Sequence, residues 1–188
     1  SYEVCGMMMN SYPEVYAVTN KNEGLREKSS SGGVFSALAD AVISNGGVVF
    51  GAAFSKDFKN VEMTAADNEN DLEKLRGSKY SKANVGDTYR EAVEYLRQGR
   101  EVFYTGSACH IAGLKKYLAG KFSDDDQAWD NLYTMDIICH GVCVPDLWRK
   151  YLEYREGMAD AKAKNVSFRN KRLGWHDFSL SIEFDNGL

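Results

Sequence analysis

The chain has 188 residues, 44% of them hydrophobic and 27% charged, with a formal net charge of −4. That length suits one domain and that apolar fraction supports a core, while an acidic balance speaks against a nucleic-acid binder, which needs basic surface to displace counterions. No apolar run nears the roughly 18–20 residues of a membrane span, nothing at the start reads as a signal peptide, and a cytoplasmic location is expected.

Glu14 to Thr19 alternates β-branched and aromatic residues and predicts a first strand. After a charged turn, the Ser29–Gly33 loop leads into a helix over Val34–Ser44, with Val34, Leu38, Ala41 and Val42 at helical spacing. Asn45-Gly46-Gly47 stops it. Val48–Phe54 is a nearly unbroken apolar run, as in a strand covered on both faces, and Val61–Ala66 is its predicted partner. Short helical character follows at Asp71–Leu75, then an amphipathic helix over Asp87–Gln98 with Tyr89, Val93 and Leu96 on one stripe.

Glu101–Thr105 reads as a strand, Gly106–Ala108 as a loop and Cys109–Leu118 as a helix. Disorder is expected only at the ends and around Ser123-Asp124-Asp125-Asp126. Asn131–Cys139 is a further predicted strand, and Pro145–Glu156 a helix with proline in its first turn. Val166–Phe168 and Phe178–Phe184 complete the strands. The last has Phe178, Leu180, Ile182 and Phe184 on one face, before an Asn186-Gly187 hairpin signal. With no return strand after it, this strand is expected to be unpaired and to favour a homodimer through its edge.

The alternation predicts a single layered α/β domain, with α+β as the alternative, built on a central mixed sheet flanked by helices. Residues 1–13 form a tail and 14–188 the domain. Val48–Phe54, Val102–Thr105 and Met135–Ile138 are expected to be adjacent, buried strands.

Several groups of residues suit chemistry. Ser29, Ser31, Gly32 and Gly33 place hydroxyls and flexible backbone before a helix start, an arrangement that suits either a phosphate or a plain helix cap. Arg76-Gly77-Ser78-Lys79-Tyr80 combines two cations, a hydroxyl and a ring, fit for an anion or for a solvated helix end. Thr105, Gly106 and Cys109 sit where a strand passes into a helix, at the carboxyl edge used by open α/β sheets for ligands. A cysteine in a first helical turn gains thiolate character, although buried packing is its common use. Cys139 and Cys143 flank His140 after the next strand. None of the four cysteines, Cys5 included, forms a C-x-x-C pair, and metal, nucleophilic and inert readings stay open for them.

In order along the chain, Ser29–Ser36, Gly46–Ala52, Arg76–Tyr80, Gly106–Leu114 and Asp136–Val142 closely resemble the beta-subunit family of coenzyme F-420 (deazaflavin) hydrogenases and dehydrogenases. The resemblance covers roughly residues 14–188. It implies FAD held by Ser31, Gly32, Gly33, Arg76 and Lys79, with Gly77, Ser78, Tyr80, Thr105 and Gly106 nearby. It further implies electron transfer between flavin and an iron–sulfur (4Fe-4S) cluster, with Cys109 and Cys139 as candidate cluster ligands. Partners would be an electron-transfer protein or ferredoxin-like domain and a small-molecule redox substrate. The chain departs from the family where Gly106-Ser107-Ala108-Cys109-His110 replaces Gly-Thr-Pro-Cys-Gln and where Cys143 replaces proline. The family's N-terminal ferredoxin-like cysteine runs and later cluster cysteines have no counterpart here, so neither FAD nor a cluster is expected bound by these residues alone. A cysteine-dependent transferase using Cys109 with a histidine base and a non-catalytic binding module are the alternatives.

Overall fold

The computed structural model describes residues 13–124 and 126–188. Elements follow in chain order as α1 (Glu23–Lys28), α2 (Val34–Ser44), β1 (Val48–Phe54), β2 (Val61–Ala66), α3 (Glu69–Leu75), α4 (Thr88–Arg97), β3 (Val102–Ser107) and α5 (Ala108–Ala119). A 3-10 turn at Gln127–Trp129, β4 (Leu132–Ile137), α6 (Pro145–Ala159), β5 (Ala163–Asn170) and β6 (Ser179–Phe184) complete the chain.

The main sheet has the order β2-β1-β3-β4. β1 pairs antiparallel with β2 through Val49↔Ala66 to Phe54↔Val61, and parallel with β3 through Val48↔Val102. β3 in turn pairs parallel with β4 from Val102↔Leu132 to Ser107↔Ile137. The sheet is mixed, as predicted.

Side chains alternate across β1 and β3, so each strand feeds two cores. Val48, Phe50, Val102 and Tyr104 pack with Val93 and Leu96 of α4 and with Leu114 and Leu118 of α5. Val49, Ala53 and Phe103 pack on the other side with Ala39 and Val42 of α2 and Leu72 and Leu75 of α3. Phe50 and Tyr104 stack with centroids 5.1 Å apart. The Tyr104 hydroxyl lies 2.7 Å from Thr88 Oγ1, and burial pushes its pKa up to about 12. A third cluster joins Trp148 and Leu152 of α6 to Val166 of β5, with Phe54, Phe168 and Ile182 against it. It fastens the β5–β6 ribbon to the carboxyl end of β1.

Five expectations are corrected. Glu14–Thr19 forms no strand, its side chains lying mostly exposed rather than packed on a sheet. Val15 is 89% exposed. The charged turn before Ser29 is the helix α1, capped by the Asn22 side chain accepting from the Leu25 amide. In α2 the buried face is Ser36, Ala39 and Val42, while Leu38 is exposed, since Ser36 turns inward to serve Arg76. β4 adjoins β3 as expected but is the sheet's edge strand, so Met135–Ile138 is not buried on both faces and Ile138 is 91% exposed. Nor is β6 unpaired, because β5 takes one of its edges through Val166↔Ile182 and Ser167↔Ser181.

Other bounds shift by a few residues, with Gly106 and Ser107 belonging to β3 rather than to a loop. In the acidic stretch, Asp126 caps the 3-10 turn by accepting from the Ala128 amide at 2.9 Å, and Asp125 lies outside the described residues.

Phe50 is wholly buried and stacked on Tyr104. Phe50→Ala is expected to cost about 3–5 kcal/mol in urea unfolding. A loss below about 1 kcal/mol would show that the β1–β3 stack is not a principal core contact.

Candidate functional site

The ribbon, α1 and the turn after α3 enclose an open cleft of about 1020 Å³ beside the end of β1. Its charged lining is one-sided. Lys28, Lys56, Lys74, Arg76, Lys79, Arg169, Lys171 and Arg172 face only Glu27 and Glu73, in a chain whose net charge is negative. Such a concentration of one sign focuses a field that attracts anions.

Of the predicted residues, Ser29, Arg76, Gly77, Ser78 and Lys79 line this cleft. Arg76 is the most constrained. Its side chain is 4% exposed, Nε donates to Ser36 Oγ at 3.0 Å, and Nη1 pairs with Glu73. Nη2 lies 3.7 Å from Asp40 Oδ1 and makes no hydrogen bond. Burial alone would raise the Glu73 pKa, yet Lys28 and Arg76 hold it below the usual carboxylate range. The guanidinium is therefore fixed by its own acids, with the buried Nη2 in the Asp40 ion pair but outside hydrogen-bond distance.

Ser78 Oγ donates to Ser30 Oγ at 2.7 Å, tying the turn after α3 to the loop after α1. Lys79 Nζ donates to the carbonyls of Arg76 at 2.9 Å, Gly77 at 3.2 Å and Leu75 at 3.4 Å, and lies 6.0 Å from the Phe54 ring centre. Burial pushes its pKa down to about 8.

The remaining predicted residues sit elsewhere. Ser31, Gly32 and Gly33 do not line the cleft. The backbone that approaches these glycines is the chain's own: a Cβ on Gly32 would stand 2.5 Å from the Val18 carbonyl, and Gly33 caps α2 at φ +81°. Tyr80 packs edge-on against Phe168 at 5.6 Å. Thr105 is buried and donates to the Phe50 carbonyl at 2.9 Å, a cross-strand bond.

Gly106 adjoins His110, where an added Cβ would meet Nδ1 at 3.1 Å. Cys109 and Cys139 follow neighbouring parallel strands, lie at the same carboxyl edge and are both exposed. Ser107 Oγ is 3.1 Å from both Cys109 Sγ and His110 Nδ1, and burial, aided by Lys82, lowers the His110 pKa. Cys143 Sγ donates to the Tyr80 carbonyl, and Cys5 lies outside the described residues. Among the described residues no three His, Cys, Asp or Glu side chains are grouped to hold a metal ion.

Sequence reasoning missed the ribbon's share of the cleft. Arg169, Asn170, Lys171, Arg172 and Trp175 line it. Lys171 Nζ donates to the Ser29 carbonyl and stands 3.3 Å from the Trp175 ring centre. The available signal was the basic run 169–172, conspicuous in an acidic chain.

The cleft's excess of cations and its exposed Trp175 ring have the chemistry of a site for an anion with an adjoining ring system.

Lys79 makes a pH prediction. An ordinary lysine titrates near 10.5 and this one near 8, so between those values the unfolded chain holds one proton more. The site's contribution to stability therefore rises with pH across that window, its penalty being full below pH 8. The melting temperature of Lys79→Met minus that of the parent is expected to fall steadily from pH 7.5 to 10. A difference independent of pH would contradict the burial of a charged lysine here.

Two family models of the coenzyme F420 hydrogenase/dehydrogenase beta subunit match the sequence, the N-terminal one over residues 15–88 and the C-terminal one over residues 99–186. Among solved structures, a chain of the F420-reducing NiFe hydrogenase complex from Methanosarcina barkeri, studied by xenon derivatization, superposes with a TM-score of 0.62. The two are 16% identical, and the match covers 95% of this chain and 60% of that one. At that identity the likeness is one of fold, and this chain spans less than two thirds of the length of its structural relative. No curated protein matches the sequence.

Proposed function

Because the chain belongs to the coenzyme F420 hydrogenase/dehydrogenase beta-subunit family, we propose that it is a flavin-dependent, iron–sulfur-linked electron-transfer module of an oxidoreductase, with FAD in the cationic cleft. The observation that carries this reading is the one-sided charge of the cleft, eight basic side chains against two carboxylates, with the Arg76 guanidinium fixed at its wall by Ser36, Glu73 and Asp40.

A fixed guanidinium holds its charge at the cleft wall, where it favours a phosphate, and little side-chain entropy is lost on binding. The Ser30 and Ser78 hydroxyls, joined to each other, are adjacent polar partners for the same diphosphate. Lys79 adds charge while protonated, up to about pH 8. Trp175 and Phe54 offer ring faces at the cleft wall. When bound, the flavin supplies the hydride and single-electron chemistry, and the protein supplies binding and electrostatics.

A 4Fe-4S cluster takes four cysteine thiolates, and Cys109 and Cys139 are two exposed thiols with no third ligand grouped beside them among the described residues. Among the described residues they do not make a cluster site by themselves. The reading assigns the cluster to an electron-transfer partner or ferredoxin-like domain, and the second reactant to a small-molecule redox substrate.

The visible spectrum of the protein, purified without oxygen, tests the proposal. A flavin band is expected, and Arg76→Gln is expected to weaken FAD binding about tenfold or more by removing charge-assisted bonds. A folded, colourless protein that does not take up FAD would overturn the reading.

A further inference from the structure

Helix α6 carries apolar residues on two faces. Trp148 and Leu152, with Glu156, form the face buried against β5. Leu147, Tyr151, Tyr154 and Met158 recur at helical spacing on a second face turned to solvent, and Leu147, Tyr154 and Met158 are each 60% or more exposed. This outer ridge runs about 16 Å along the helix. It continues past the start of α6, where the Leu147 amide donates to the carbonyl of Val144, which is exposed beside Val142. A continuous apolar surface with two tyrosines at its centre has the composition of a protein-binding patch.

The charges beside the ridge are of one sign. The helix engages its carboxylates in ion pairs, Asp146 with Arg149, Glu153 with Lys59 and Glu156 with Lys162. Lys150 borders the ridge on one flank and Arg155 on the other, and among the described residues neither pairs with a carboxylate. Arg155 is held at the rim, donating to the Tyr151 hydroxyl at 3.2 Å with its guanidinium carbon 6.0 Å from the ring centre. The surface complementary to this ridge is an apolar groove edged with carboxylates. A second copy does not offer one. In a two-fold pair each flank would meet itself, Lys150 against Lys150 and Arg155 against Arg155. Nor does the helix suit an anionic bilayer, because Asp146 and Glu153 are exposed on its polar face.

Rings continue inward from the ridge. The centroids of Tyr151 and Trp148 are 6.1 Å apart, as are those of Trp148 and Phe54, and Phe54 lines the cationic cleft. A partner seated on Tyr151 is therefore close to the cleft without entering it, which suits a protein that exchanges electrons with an occupant of that cleft. We propose that α6 is the docking ridge for an acidic iron–sulfur electron carrier, whose apolar groove takes Tyr151 and Tyr154 and whose carboxylates meet Lys150 and Arg155. The identity of the carrier rests on the flavin-dependent reading of the cleft, whereas the ridge and its two cations do not.

Calorimetric titration of a purified acidic 4Fe-4S ferredoxin into the protein tests it. Saturable binding is expected at low salt, weakening about tenfold or more between roughly 50 and 500 mM salt. The double variant Lys150→Glu, Arg155→Glu, at two exposed positions, should weaken binding about tenfold. Tyr154→Ala should do the same, and both variants should keep the parent's melting temperature and FAD uptake. No saturable binding, or unchanged affinity in the folded double variant, would overturn the proposal. Sedimentation showing a dimer that Tyr154→Ala dissolves would assign the ridge to a second copy instead. Binding to phosphatidylcholine–phosphatidylserine vesicles that the same variant abolishes would assign it to a membrane, and either result overturns the carrier. A yellow protein that ignores the ferredoxin removes the docking ridge and leaves the flavin reading standing. A colourless protein that binds ferredoxin through Lys150 and Arg155 does the reverse.

Discussion

The parallel pairing of β1 with β3 is the constraint on which the ligand edge depends. It is locked by the stacked Phe50 and Tyr104 rings and by the Thr105 hydroxyl bonding to the Phe50 carbonyl. Parallel neighbours deliver their following loops to one edge. The end of β1, the Cys109 turn after β3 and the Cys139 turn after β4 therefore share that edge. The antiparallel β2 sends its own following helix, α3, back across the sheet, and the Arg76–Lys79 turn arrives beside the end of β1.

Charge is distributed against the average of the chain. A protein with a net charge of −4 collects eight basic side chains at one cleft and opposes them with two carboxylates. Part of that charge is used in holding the structure together: Arg76 is caged by Glu73, Asp40 and Ser36, and Lys79 and Lys171 cap backbone carbonyls at the ends of α3 and α1. These contacts fix the positions of the cations, which lowers the entropic cost of binding an anion there. The glycines of the Ser29–Gly33 loop serve the same end indirectly, by letting residues 18–20 run close behind the loop.

The two ends of the carboxyl edge differ in character. Toward β1 the wall is cationic and aromatic and forms a cleft. Toward β4 the edge strand leaves Ile137 and Ile138 exposed, with Cys109 and Cys139 near them in the fold. Ser107 Oγ stands 3.1 Å from both the Cys109 thiol and Nδ1 of His110, whose pKa burial lowers.

Local chemistry was legible from the sequence wherever one element decided it. The unbroken apolar run of Val48–Phe54 marked a central strand, the spacing of Val93 and Leu96 marked the buried stripe of α4, and the ordered motifs from Ser29 to Val142 marked the family. Arg76, Ser78 and Lys79 were visible as an anion-suited turn because their types sit together in the chain. What sequence could not decide depends on contacts between distant segments. Glu14–Thr19 has strand composition but pairs with no strand, and Asn131–Cys139 reads as buried although among the described residues no strand covers the far side of β4. Likewise the basic run 169–172 becomes half of a cleft only because Trp148, Phe168 and Phe54 dock the ribbon beside β1. Periodicity and composition determine which faces are apolar, but which face meets which is settled only when tertiary packing buries them together.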